Sequence, residues 1–373
     1  MVIGWKCIRN ACRSNNLLFI RINEGWKINT KIFKLNENKI DYCAINEIAN
    51  IIKNGGIVAI PTETVYGLAA NALDEISVSK IFIAKGRPSD NPLIVHISSI
   101  DQIEKYARNI PKKAYTLFEE FSPGPLTIVL KKKKIIPYIT SGGLETVALR
   151  IPNNKIALEI IKASNCPLAA PSANISGCPS PTRFVHIQKD LMGKVSALVD
   201  GGNCEIGVES TVISLIGKTP NILRLGGVTK EQIEKIIGKV AVDKAVLEKI
   251  SDDDKVSSPG MKYRHYAPKA KVILVKGENN KVINYINSVC DRNDGIMCFN
   301  KEEKMFFNTK NVISYGDNNQ PKTLCYNLFD VLRELDELNV NNIYARCPNK
   351  LGAGVAAYSR LVKASGFTVL DVR

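Results

Sequence analysis

Two α/β domains in succession are what this sequence predicts. Short β-rich apolar runs alternate with helical periods from about residue 30 to 245, a polar stretch rich in serine, proline and glycine interrupts them, and the alternation restarts at residue 271. At 373 residues the chain also exceeds the usual size of one domain.

Residues 1–28 hold Trp5 and Trp26 and show no sustained period, so they read as an extension, either flexible in itself or added upstream of the true start. Ile45, Ile48, Ala49 and Ile52 fall at i, i+3, i+4 and i+7, and Gly55 and Gly56 follow, which predicts a helix over 43–54. The run IVAI at 57–60, stopped by Pro61, is a buried strand. Further strands are expected at 93–97, 126–130, 146–151, 197–200, 210–216 and 221–226, with helices near 76–84, 99–108, 112–121 and 155–164. A catalytic domain over 29–245 and a linker over 246–269 follow, the segment 252–270 carrying turn residues and no apolar period. In 270–373, strands at 271–275, 295–299, 311–315, 341–346 and 367–372 alternate with helices near 280–289, 322–338 and 353–365. Those βαβ intervals predict a small, doubly wound, mostly parallel sheet. No G-x-G-x-x-G follows its first strand, so dinucleotide binding is not supported there.

The 51 Lys and Arg against 36 Asp and Glu give a formal charge of +15, which suits a polyanionic partner. Biased codon usage would enrich lysine, asparagine and isoleucine in the same way, so charge alone does not choose. The apolar runs are too short to span a bilayer, and charge interrupts the N-terminal stretch too early for a signal peptide, which leaves a cytoplasmic protein as the expectation. Ten cysteines lie scattered without paired C-x-x-C spacing, as reduced thiols would.

Five segments carry the candidate chemistry. PTETVYGLAANA (61–72) ends a strand on Thr62 and Thr64, where α/β sheets bind ligands. AKGRPSDNPLIVHI (84–97) sets Lys85, Arg87 and Asn91 on a Gly/Pro turn, a pattern that fits either a triphosphate or plain solvent, and buries His96 in an apolar strand. GGLETVALRIPNN (142–154) places Arg150 inside an apolar strand, where it needs a carboxylate or a phosphate. PLAAPSANISGCPSPT (167–182) offers Ser172, Asn174, Ser176, Ser180 and Thr182 on a loop of small residues that lets backbone N–H groups approach anionic oxygens. GVESTVISL (207–215) and NILRLGGVT (221–229) bring Ser210, Thr211 and Arg224, the last free to pair with Glu209 or with a ligand. There is no Ser-His-Asp order, no metal-ligand spacing and no P-loop, so charge neutralisation and positioning are the chemistry on offer.

In this order, PTETVYGL, KGRPSDNPLIVHI, SPGPLTIVL, VALRIPN, APSANISGCPSPT, ESTVISL and ILRLGG resemble the Sua5/YrdC/YciO family. With SPGMKYRHYAPKA and the α/β region after it, the resemblance is to the two-domain Sua5 form and covers about residues 29–373. It implies a YrdC-like twisted mixed sheet with a large cationic cleft, plus a smaller Rossmann-like C-terminal domain. The implied activity is a nucleotidyl transfer in which L-threonine, bicarbonate and ATP give threonylcarbamoyl-AMP, with Mg²⁺ on the ATP phosphates. A separate tRNA threonylcarbamoyltransferase would use the product, and direct tRNA contact is a further possibility the resemblance carries.

By the same matching, Lys85 and Arg87 are the implied catalytic pair. Thr64, His96, Arg150, Ala170 and Ser210 are implied for threonine, and Arg87, Asn91, Thr146, Ser172, Asn174, Ser180, Arg224 and Tyr263 for ATP. Two other functions compete: an RNA- or tRNA-binding module without catalysis, and the carbamoyl-adenylate step of hydrogenase maturation. The second needs acylphosphatase-like and four-cysteine zinc segments that the sequence lacks.

Overall fold

The structure is a computed structural model that describes residues 19–22, 25–246 and 266–373. Its first large unit is a twelve-stranded mixed sheet. Neighbour by neighbour, it runs Ala241–Val242, Asn221–Arg224, Thr211–Ser214, Leu126–Lys132, Thr146–Arg150, Ile94–His96, Leu168–Ala169, Gly67–Asn71, Val58–Ile60, Ala197–Asp200 and Lys31–Lys34, with Ala107–Arg108 beside Leu126–Lys132. The second sheet is five-stranded and all parallel: Val312–Ser314, Gly295–Cys298, Asn342–Arg346, Lys271–Gly277 and Val369–Val372. Numbered along the chain, its order is 3-2-4-1-5, so it is doubly wound without the 3-2-1-4-5 order common in dinucleotide-binding sheets.

Helix Tyr42–Lys53 shows how the local code works. Asp41 caps it by accepting from the backbone N–H groups of Cys43 and Ala44, and Ile45, Ile48, Ala49 and Ile52 form its buried stripe. Each fully buried isoleucine contributes about 1.5–3 kcal/mol. Helix Glu75–Lys85 begins on the Asp74 cap and stops at Gly86, whose φ of 61° is the left-handed conformation that closes a helix. That stop places Lys85 on the last turn and Arg87 on the loop beyond.

Three expectations change. The helix near 99–108 is broken into a 3₁₀ turn at Ile100–Gln102, a single turn at Ile103–Tyr106 and a strand at Ala107–Arg108 that pairs with Leu126–Lys132. Residues 1–28 are not uniformly irregular, because Phe19–Ile22 and Gly25–Ile28 pair antiparallel and the Ile28 N–H donates to Gly193 O at 3.0 Å. Strands Lys31–Lys34, Gly67–Asn71 and Leu168–Ala169, and helices Phe184–Leu191 and Lys230–Ile237, join the expected elements. Most of the expected linker, with Tyr263, lies outside the described residues.

The two sheets share a core. One apolar cluster runs from Leu68, Val95 and Leu149 through Val208 and Leu225 to Leu324, Phe329 and Leu361. Among the described residues no helix is long and apolar enough to cross a membrane.

Candidate active site

Strand pairing brings the first polar group together. Ile94–His96 lies parallel to Thr146–Arg150 in a register that sets His96 against Arg150. Arg150, 4% exposed, meets the Oε2 of Glu63 and the Oγ1 of Thr64, each at 2.8 Å, and donates through Nε to Gly124 O at 3.3 Å. The partner that an arginine inside an apolar strand requires is therefore Glu63, while Arg150 still faces the pocket. His96 is 2% exposed, and burial, then the Arg150 charge, lower its pKa to about 3. It is an uncharged imidazole at neutral pH and a poor proton acceptor.

The second group forms around the small-residue loop. Lys85, 1% exposed, donates through Nζ to Ser172 O at 2.5 Å, Asn174 O at 2.6 Å and Asn174 Oδ1 at 3.4 Å. Burial, then the neighbouring Arg87 charge, push its amine well below the usual lysine range. Ser172 Oγ in turn donates to Asn174 Oδ1 at 2.5 Å, and Asn174 Nδ2 donates to Ile175 O and Cys178 O. Lys85 thus holds the serine-and-asparagine loop from beneath.

The third group sits at the end of Asn221–Arg224. Arg224 donates to Ser210 O and Ser210 Oγ, both at 3.0 Å, and Ser210 Oγ is 2.8 Å from Thr127 Oγ1. Glu209 makes its ion pair with Arg360, at 2.9 Å, rather than with Arg224. Burial alone would raise the Glu209 carboxyl, but Arg360, Arg224 and the Ser180 hydroxyl outweigh it and hold it below the usual carboxylate range.

One pocket gathers Thr64, Lys85, Arg87, His96, Arg150, Ala170, Ser172, Asn174 and Arg224 of the expected residues. Ser180 and Ser210 stand behind its wall, bonded to Glu209 and Arg224. Asn91 is 3% exposed and Thr146 opens the strand that Arg150 ends; neither lines the pocket. Cys178 also lines it, and burial raises its thiol pKa, which disfavours a thiolate nucleophile.

The N-terminal domain matches a family profile described as "Telomere recombination" over residues 50–226, and residues 228–366 match one described as "Threonylcarbamoyl-AMP synthase, C-terminal domain". The threonylcarbamoyl-AMP synthase of Pyrococcus abyssi is 46% identical over 341 residues, covering 90% of this chain and 97% of that protein. The chain belongs to the Sua5 family of threonylcarbamoyl-AMP synthases. The Bacillus subtilis enzyme of that name is 44% identical, covering 87% of this chain and 94% of the relative. P. abyssi Sua5, solved in complex with L-threonine, superposes with a TM-score of 0.87 at 44% identity, covering 92% of this chain and all of that one.

As a Sua5-family chain, this is an enzyme of the nucleotidyltransferase kind, and the expected YrdC-like sheet with a second α/β domain is its fold. Sequence reasoning passed over two wall residues, Tyr66 and Tyr266, and the buried partner of Arg150, Glu63. Tyr66 follows the Thr64 motif directly and was open to notice. Tyr266 lies in the HYAP segment, three residues beyond the expected Tyr263; it is 6% exposed and packs on Phe329 with ring centroids 5.3 Å apart.

Proposed function

We propose that this chain condenses L-threonine, bicarbonate and ATP into L-threonylcarbamoyl-AMP, pyrophosphate and water, using the pocket above. The observation that carries the reading is the convergence of four basic side chains, Lys85, Arg87, Arg150 and Arg224, with hydroxyl and amide groups on one cavity. Threonine's amine takes up the carbon of bicarbonate and water leaves, giving a carbamate. A carbamate oxygen then attacks the α-phosphorus, the bond to the bridging oxygen breaks, and pyrophosphate departs with its electron pair. Nucleophile and electrophile are both anionic, so fixed cations offset their repulsion and stabilise the leaving group.

We assign threonine to Thr64, His96, Arg150 and Ala170, and the nucleotide to Arg87, Ser172, Asn174 and Arg224. Arg150, held by Glu63, suits the amino acid's carboxylate. A carbamate ionises without help at neutral pH, so the neutral His96 serves as a hydrogen-bonding wall rather than a base. Ser180 and Ser210 support this constellation from behind.

Mg²⁺ on the triphosphate suits the chemistry. Among the described residues no group of three carboxylate, histidine or cysteine side chains is placed to hold a metal, and the pocket carboxylate Glu209 has both oxygens engaged. The ion would be carried by phosphate oxygens. The product is an activated acyl-adenylate whose transfer to adenosine in tRNA belongs to a separate protein.

The test is pyrophosphate release by the purified full chain. Release should require threonine and bicarbonate together; release indifferent to both would remove the synthase reading. Serine should replace threonine in part, and valine should fail, because it leaves the hydroxyl partners of the site unpaired.

A further inference from the structure

One carboxylate joins the second domain to the nucleotide side of the pocket. Glu209 is 5% exposed, and its oxygens are divided. Oε1 accepts from Ser180 Oγ at 2.5 Å, and Oε2 accepts from Arg360 Nε at 2.9 Å. Arg360 comes from the second domain's helix Gly354–Ala364, is 1% exposed, and donates through Nη1 to Leu225 O at 2.5 Å. Leu225 directly follows Arg224. The same guanidinium lies 5.5 Å from the ring centroid of Tyr266, which lines the pocket. A single side chain of the second domain therefore touches the carboxylate that holds Ser180, the backbone beside Arg224, and a wall of the cavity.

Two glycines show how tightly these parts are packed. A Cβ on Gly226 would lie 2.2 Å from Glu209 O, so the strand end after Arg224 rests on the backbone of Glu209. A Cβ on Gly207 would lie 2.4 Å from Tyr326 Cα, so the loop that leads into Glu209 rests on the second domain's helix Pro321–Glu337. Movement of Glu209 is thereby transmitted to Arg224 and Ser180.

We propose that Glu209 and Arg360 are positioning residues for the nucleotide, and that through them the second domain sets the geometry of Arg224 and Ser180. The proposal deepens the function above and rests on ATP occupying the Arg224 side of the pocket. An arginine suits the task because its planar fork fixes two directions at once, to Glu209 and to Leu225 O, which a lysine cannot do. Removing either member leaves the other's charge buried without its partner, and the surroundings must shift to relieve it. The Glu209 loop meets the threonine side only through backbone bonds from Ile206 and Gly207 to Glu63 O and Thr64 O, whereas the Arg150 side chain is held by Glu63, Thr64 and Gly124, so threonine's contacts should be spared.

The test uses the full chain and measures pyrophosphate release against ATP and against threonine. Arg360→Lys and Glu209→Gln should each raise the KM for ATP about 10-fold or more, while the KM for threonine stays within about 3-fold. The double variant Glu209→Gln/Arg360→Lys should be no worse than the poorer single variant, because the two act as a unit. Arg183→Ala breaks a different inter-domain pair, with Asp330, and should leave the KM for ATP within about 2-fold. Equal losses for both substrates, no loss, additive losses in the double variant, or an Arg183→Ala effect as large as that of Arg360→Lys would each overturn the proposal. If Arg360→Lys does not fold, the isosteric Glu209→Gln decides by the same split. An inactive wild type would defeat the parent reading and this one with it; an active wild type with unchanged variants would defeat this one alone.

Discussion

Lys85 serves its own chain before any ligand. Its amine satisfies two backbone carbonyls of the loop that carries Ser172 and Asn174, which would otherwise be left without their donor. Lys85→Ala should therefore lower turnover about 100-fold or more with the circular-dichroism spectrum retained, through loss of loop geometry as much as of charge. Near-normal turnover would take Lys85 out of the site. His96 gives a second prediction. Its folded pKa of about 3 lies below the ordinary 6.5, so the unfolded chain binds the extra proton between those values. Its contribution to stability is complete above pH 6.5 and is lost as pH falls toward 3. Denaturant titrations of wild type and His96→Gln should show the steeper acid loss in the wild type; parallel curves would contradict the burial. Arg150 was conspicuous in the sequence as a cation among apolar residues, but Glu63 was not. The two are far apart in the chain, and only the sheet makes them neighbours.

Elements were legible wherever one face is buried and the period is clean, as in Tyr42–Lys53 and Pro321–Glu337. Gly67–Asn71 was not, because GLAAN has no β-branched residue and its burial is settled by neighbours on both sides. Helix Lys230–Ile237 did carry a readable signal in its capping box, Thr229 with Gln232 three residues on. The loop at Gly207 supplies the prediction at this scale. Its φ of 81° and its contact with the backbone at Tyr326 leave no room for a methyl group. Gly207→Ala should cost about 2–3 kcal/mol in chemical denaturation and weaken ATP use together with stability. A neutral effect on both would mean that the two domains part easily there.

At the scale of the molecule, two sheets were expected as separate domains, and what could not be read was how much core they share. Sequence periods report a buried face but not what covers it. Arg333 donates to Pro179 O and pairs with Asp190, and Ser359 donates to Val246 O, so helices Pro321–Glu337 and Gly354–Ala364 of the second domain are both bonded to the first. A chain truncated after Val246 would expose Val208, Leu225 and their neighbours in the common cluster. It should unfold at a lower denaturant midpoint than the intact chain and release little pyrophosphate, whereas the intact chain should give a single calorimetric transition. Two resolved transitions would show that the common cluster does not couple the domains.

The enclosure of Lys85 also has a consequence for covalent labelling. An amine with a depressed pKa has a larger unprotonated fraction at neutral pH to react with acylating reagents, yet this one is 1% exposed and bonded on the inner side of a loop. Under brief acetylation read by mass spectrometry, Lys133 and Lys134 on the surface should saturate while Lys85 stays unmodified. Its first appearance among the labelled sites, as denaturant is raised, would then time the opening of the active site against the unfolding of the rest.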